Sequence, residues 1–155
     1  MRRRRETSKK GNIIAIVTVL CVAGLILLLT HLQSPDAYGT CTIGVECKSI
    51  LSNTALLNAE KADDLPPEGI LLAGEAVGIY EGDTVLAVLE RAVQTAGIAL
   101  ESGESTVIGI GDICAGDCGA ASCWKYRVNG VEIAESPESK TVLPNDTVEF
   151  FFFCG

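Results

Sequence analysis

The run Asp117-Cys118-Gly119-Ala120-Ala121-Ser122-Cys123-Trp124-Lys125-Tyr126-Arg127-Val128-Asn129-Gly130 decides how this chain folds. A cysteine-glycine turn leads into a stretch in which Trp124, Tyr126 and Val128 alternate with polar residues, and Asn-Gly follows. Both central positions of a type I′ turn need positive φ, so Asn129-Gly130 predicts a β-hairpin over 123–135. Downstream, Pro144-Asn145-Asp146 turns the chain into a closing strand over 147–154. Val148, Phe150 and Phe152 point one way along it, and Phe151 and Phe153 the other. A strand apolar on both faces belongs at the centre of a sheet or under cover on both sides.

Upstream of the hairpin, Cys41, Ile43, Val45 and Cys47 alternate with Thr42, Gly44 and Glu46, a period of two that predicts a half-buried strand. A weaker helical pattern at Ile50, Leu51, Thr54 and Leu57 ends before the loop Leu65-Pro66-Pro67-Glu68-Gly69. Short strands are predicted at 70–72, 76–80, 98–100 and 106–110, with a cysteine- and glycine-rich loop at 111–122. Val85, Val88, Leu89, Ala92 and Val93 recur at helical spacing. They predict one helix from an N-cap at Asp83 to about Ala96, with Gly97 as its left-handed cap. Strands, one well-capped helix and more strands indicate an α+β domain of the β-grasp type, a mixed sheet wrapped around a main helix.

Charge divides the 155 residues sharply. Residues 1–12 hold six of the twelve basic residues, Arg2 to Arg5, Lys9 and Lys10, against the single acid Glu6. From Ile13 onward there are six basic and nineteen acidic residues, a net of −13. So acidic a body argues against nucleic-acid binding, where Lys and Arg must neutralise phosphates. Between the two regimes, seventeen residues from Ile13 to Leu29 are interrupted only by Thr18 and Gly24, and Leu32 extends the run. About twenty apolar residues suffice for one membrane crossing. The basic cluster places 1–12 in the cytoplasm and everything beyond Gln33 outside. The expected organisation is a basic segment (1–12), a transmembrane signal-anchor (13–32), a linker (33–40) and an extracytoplasmic domain (41–155). The alternative is secretion after cleavage behind Ala37, but Pro35 is poor at the −3 position of such a site.

Cysteine usage agrees with export. Cys21 lies within the apolar run, and the other six, Cys41, Cys47, Cys114, Cys118, Cys123 and Cys154, lie beyond it. An even number in an oxidising compartment reads as three disulfides, with connectivity open. In a β-grasp the first and last strands are parallel neighbours, which draws Cys154 toward the first strand and to Cys47. A metal site is disfavoured because Cys114, Cys118 and Cys123 have no histidine beside them to complete it. No Cys-x-x-Cys marks a thiol-redox centre.

Five motifs occur in order: Cys-Thr-Ile-x-Val-x-Cys at 41–47, Tyr-Glu-Gly-Asp-Thr-Val at 80–85, Asp-Cys-Gly at 117–119, Trp-x-Tyr-x-Val-Asn-Gly at 124–130, and the aromatic strand closing at Cys154. Together they resemble the bacterial extracytoplasmic family related to the C-terminal domain of transcobalamin and gastric intrinsic factor, over roughly 40–155. The resemblance implies a β-grasp-like domain on surface or secreted proteins, chiefly of Gram-positive bacteria, most without an assigned activity. It implies a ligand role toward a corrinoid such as cobalamin, although the helical barrel that completes the pocket in the vitamin carriers is absent here. Cys114 and Cys123 depart from the family pattern, in which glycine commonly precedes the tryptophan, and are expected to bond to each other. Glu135-Ser136-Pro137 stands where relatives often place a cysteine.

Trp124 and Tyr126 are the candidates for a ligand-stacking platform, with Asn129 offering its amide. The competing reading makes Trp124 and Val128 core residues and Asn129 turn chemistry. The only histidine, His31, sits at the outer end of the apolar run, out of reach of any nucleophile in the domain, and no carboxylates stand in an acid-base motif. An enzyme is not expected, nor a resident metal or cofactor. Two functions remain. One is capture of a cofactor such as a corrinoid, jointly with a partner protein and for a membrane transporter. The other is a structural or protein-interaction module of the cell envelope.

Overall fold

Residues 37–155 are described by a computed structural model of the chain. The segment 13–32 expected to be a signal-anchor, the basic segment before it and Cys21 lie outside the described residues. Among the described residues no helix is long and apolar enough to cross a membrane.

Strand β1 (Gly39–Glu46) is followed by a single-turn helix α1 (Lys48–Leu51) and three short 3₁₀ turns. Next come β2 (Ile70–Ile79), helix α2 (Val85–Ala96), β3 (Leu100–Ser102), β4 (Val107–Ile110), β5 (Ile113–Cys114), β6 (Cys123–Val128), β7 (Val131–Glu132) and β8 (Thr147–Phe153). Five strands form one mixed sheet in the order β2-β1-β8-β6-β7, and β3-β4-β5 form a second, antiparallel sheet. The expected α+β class is met, with strands dominating.

The closing strand is central for the reason its sequence indicates. β8 runs parallel to β1, with Val45 opposite Phe150, and antiparallel to β6, with Trp124 opposite Phe152. Its inner residues Val148, Phe150 and Phe152 are buried together with Cys41, Ile43 and Val45 of β1. α2 packs against β1 and β2 and contributes Val85, Val88, Leu89, Ala92 and Val93 to the core. Full burial of a side chain such as Leu89 is worth about 2 kcal/mol.

Three local expectations are corrected. The α2 cap is Thr84, whose hydroxyl accepts from the Ala87 amide, because Asp83 is occupied one residue earlier. The Asp83 carboxylate accepts from the Tyr80 amide and pairs with Arg91 at 2.8 Å, closing the 80–83 turn. The strands expected at 70–72 and 76–80 are one strand, which follows β1 through two register shifts, one at Leu71 and one spanning Gly74, at φ +87°. The strand expected at 98–100 begins only at Leu100, because the Ile98 amide still bonds the last turn of α2.

The disulfide scheme is corrected as well. Cys154 bonds Cys118, with Cα atoms 5.1 Å apart, and not Cys47. The β1–β8 register explains this: Cys47 falls level with Phe152, and the chain runs two residues further before Cys154. There the Gly155 amide bonds the Cys118 carbonyl, drawing the end of the chain into the 114–122 loop. Cys41, Cys47, Cys114 and Cys123 are free thiols, so among the described residues one bridge stands where three were expected. Cys41 near the start of β1 and Cys47 just past its end lie roughly 20 Å apart at strand spacing. Cys123 lies on the outer face of β6, whereas the Cys114 sulfur sits over Gly109 of β4. Burial pushes the Cys47 thiol up to about 11, with the Glu46 carboxylate adding to it, and burial raises Cys41 too. Both stay protonated and inert at neutral pH.

Candidate functional site

The hairpin singled out by sequence forms as expected, but its aromatic side chains turn inward. Val128 pairs with Val131 around Asn129 and Gly130, whose φ values of +51° and +81° are the two left-handed positions of the predicted turn. Strand alternation then sends Trp124, Tyr126 and Val128 to the core face and Cys123, Lys125 and Arg127 to the outer face.

Trp124 is 5% exposed. Its ring meets Phe152 edge-on at 5.1 Å, and its indole N–H donates to the Ile113 carbonyl at 2.9 Å. Tyr126 is 4% exposed, stacks on Phe150 at 5.5 Å, and donates its hydroxyl to the Glu135 carbonyl at 2.7 Å. Burial, with the Glu135 carboxylate second, pushes the Tyr126 hydroxyl up to about 12 and keeps it a donor. These two residues border a groove of about 350 Å³ between the hairpin and the turn before β4. Its rim carries Ser105, Thr106, Glu132 and Ser136. Both side chains are nonetheless almost wholly buried, with Tyr126 stacked on Phe150 and Trp124 held edge-on against Phe152.

Asn129 does not join them. Its amide nitrogen donates to the Asp146 carboxylate at 2.8 Å, and its carbonyl oxygen accepts from the Thr147 amide at 2.9 Å. It staples the hairpin tip to the start of β8 and does not line the groove. Asn129→Ala should cost about 1–3 kcal/mol, from two lost hydrogen bonds and a left-handed position less suited to alanine. Denaturant unfolding measures this, and an unchanged midpoint would contradict the staple.

The cysteine-rich loop is held by Ser122, a buried polar residue that sequence reasoning passed over. Its hydroxyl accepts from the Gly116 and Cys118 amides at 3.0 and 3.1 Å. Asp117 closes the same loop by accepting from the Cys114 amide at 2.7 Å. Gly119, at φ +92°, packs so closely on the terminal residue that a side chain there would collide with the Gly155 carbonyl. The loop therefore fixes Cys118 against Cys154. Cys118 is buried, and the loop serves the core.

The outer face of the sheet is the feature that the sequence reading did not assemble. Arg127 lies over Phe151 at 4.7 Å and Lys125 over Phe153 at 4.8 Å. Arg127 also pairs with Glu46 and Glu149 at 3.4 and 3.3 Å, and Lys125 with Glu132 at 2.9 Å. The alternation of Lys125 and Arg127 with Trp124 and Tyr126 carried that signal. Phe153 remains 42% exposed, so cations and not a second protein layer cover these rings. A groove of about 310 Å³ runs between β1, the start of β8 and the bulged half of β2.

No family model matches the chain, and no curated protein matches it. Among solved structures it is similar to a candidate metal-binding protein from Ruminococcus gnavus, with 14% identity and a TM-score of 0.43. That match covers 76% of this chain and 98% of the other. It is also similar to haptocorrin in complex with Cbi, with 12% identity and a TM-score of 0.47, over 78% of this chain. The chain spans 27% of the length of haptocorrin.

Proposed function

We propose that residues 41–155 are a β-grasp-like extracytoplasmic binding domain, held at the cell membrane by the segment 13–32. In this reading the domain performs no chemistry of its own and captures a cofactor such as a corrinoid only jointly with a partner protein. The five ordered motifs support the relation to the transcobalamin C-terminal family. The parallel β1–β8 pair at the centre of the sheet, with α2 packed on one face, agrees with the grasp arrangement.

One observation carries the dependence on a partner. The aromatic hairpin is committed to the core, and the groove beside it holds about 350 Å³ and is open to solvent. Small-molecule sites typically bury 70–90% of their ligand. A corrinoid macrocycle with its side chains far exceeds this groove, so a second surface has to complete the enclosure.

Calorimetric titration of the oxidised full-length chain with cobalamin tests the reading. Binding weaker than micromolar, about −8 kcal/mol, is the expected result for the chain alone. Sub-micromolar binding without a partner would overturn the dependence.

A further inference from the structure

We propose that the free edge of β2, beside α2, is a docking groove for an extended peptide strand that carries a basic side chain and is donated by a different protein. β2 is an edge strand of the five-stranded sheet. The direction of its backbone groups follows from β1. The Thr42 amide donates to the Asp146 carbonyl and the Thr40 carbonyl accepts from the Asn145 amide, so even-numbered residues of β1 turn toward β8. Odd-numbered ones turn toward β2, where Cys41 faces Val77 and Ile43 faces Glu75. Ala76 and Gly78 therefore direct their backbone groups off the edge. Arg91 donates to the Gly78 carbonyl at 2.6 Å. The N–H and C=O of Ala76 and the N–H of Gly78 have no partner among the described residues.

A groove of about 410 Å³ lies between this edge and α2. Its helix wall is Arg91, Ala92, Thr95 and Ala96. An added strand would lie about 4.8 Å from β2, in front of Ala92, Thr95 and Ala96, whose side chains are small.

Charge selects the occupant. Glu75 shares the inner face with Val77, lines the groove, and has no ion-pair partner among the described residues. α2 ends at Ala96 beside it, with no basic residue in its last turn. A helix C-terminus carries partial negative charge that favours a cation. At the other end, Arg91 is already matched by Asp83 at 2.8 Å. The unmatched charge of the groove is thus negative and sits at one end, a position for a lysine or arginine of the incoming strand. A second copy of this chain fits poorly, because residues 37–155 hold eighteen acidic and six basic residues and like charges oppose association. The register shifts at Leu71 and Gly74 also break the long flat edge that self-pairing needs. Main-chain pairing with one side-chain contact for specificity is the general mode of strand addition.

The inference rests on the proposed function only in treating the domain as a binding module, and the cobalamin titration does not read on β2. The probes are two fluorescent hexapeptides of alternating threonine and valine, one with a central lysine and one with a central glutamate. Anisotropy with the full-length chain should show the lysine peptide bound roughly tenfold more tightly. Ala76→Pro removes only an outward-facing N–H, which edge strands tolerate, and should weaken that binding roughly tenfold. Glu75→Lys should invert the preference. Should the proline variant melt, amide shifts at Ala76 and Gly78 of the wild-type chain on adding the lysine peptide give the same reading. Equal affinity for the two peptides, binding of neither, shifts that miss Ala76 and Gly78, or dimerisation of the chain through β2 overturns the proposal.

Discussion

Trp124→Ala is expected to destabilise the domain by about 3–5 kcal/mol, the range for deleting a large buried aromatic. The side chain is 5% exposed and rests on Phe152. Its removal leaves a cavity beside Phe152 near the end of β8 and strands the Ile113 carbonyl that accepted the indole N–H. Urea unfolding measures the loss. Trp124→Phe separates the two contributions, since it keeps most of the apolar volume and loses only the hydrogen bond, at about 1–3 kcal/mol. A surface platform residue behaves differently: its alanine variant keeps the unfolding midpoint to within about 0.5 kcal/mol and loses only binding. That outcome would refute the core assignment.

Cys118→Ser is expected to have a comparable effect by another route. The Cys118–Cys154 bond closes a loop with a sequence separation of 36. Constraining a loop of that length in the unfolded chain is worth about 4 kcal/mol in the chain-entropy account. The same variant frees the end of β8 from the 114–122 loop, so Gly155 and Cys118 lose their backbone contact as well. Unfolding of the wild-type chain with and without a reductant should reproduce the loss, and Cys118→Ser should not respond to reductant. Retention of full reductant sensitivity by that variant would mean that another bridge carries the stability.

Much of this was legible in the sequence, and the gaps have physical causes. The hairpin, the central closing strand and the span of α2 follow from short-range rules: positive φ at Asn-Gly, apolar faces at period two, and apolar faces at period 3.6. The cap of α2 was missed by one residue because Asp83 and Thr84 are both good caps, and the choice depends on Arg91, eight residues away. β2 read as two strands because Gly74 and Glu75 interrupt its pattern, whereas pairing with β1 carries it through a bulge. Disulfide connectivity is a matter of long-range register. Knowing that β1 and β8 are parallel did not fix which residues were level, and a two-residue offset moved Cys154 from Cys47 to Cys118. Trp124, Tyr126 and Asn129 were found as notable positions, but their chemistry is internal. A tryptophan on an alternating strand carries the same sequence signal whether it faces ligand or core, and the partner rings of β8 decide it.

Trp124 is the single tryptophan of the chain, so its fluorescence reports on the central claim without a mutation. That claim is that the aromatic hairpin builds the core and leaves ligand capture to a surface shared with another protein. The direct measurement is acrylamide quenching of the native full-length chain, followed by the addition of cobalamin at micromolar concentration, with free tryptophan as the absorbance control. The account predicts blue-shifted emission shielded from acrylamide, and a cobalamin response no larger than that of the control. Emission that acrylamide quenches as readily as in the unfolded chain, or that cobalamin quenches saturably at sub-micromolar concentration, would contradict it.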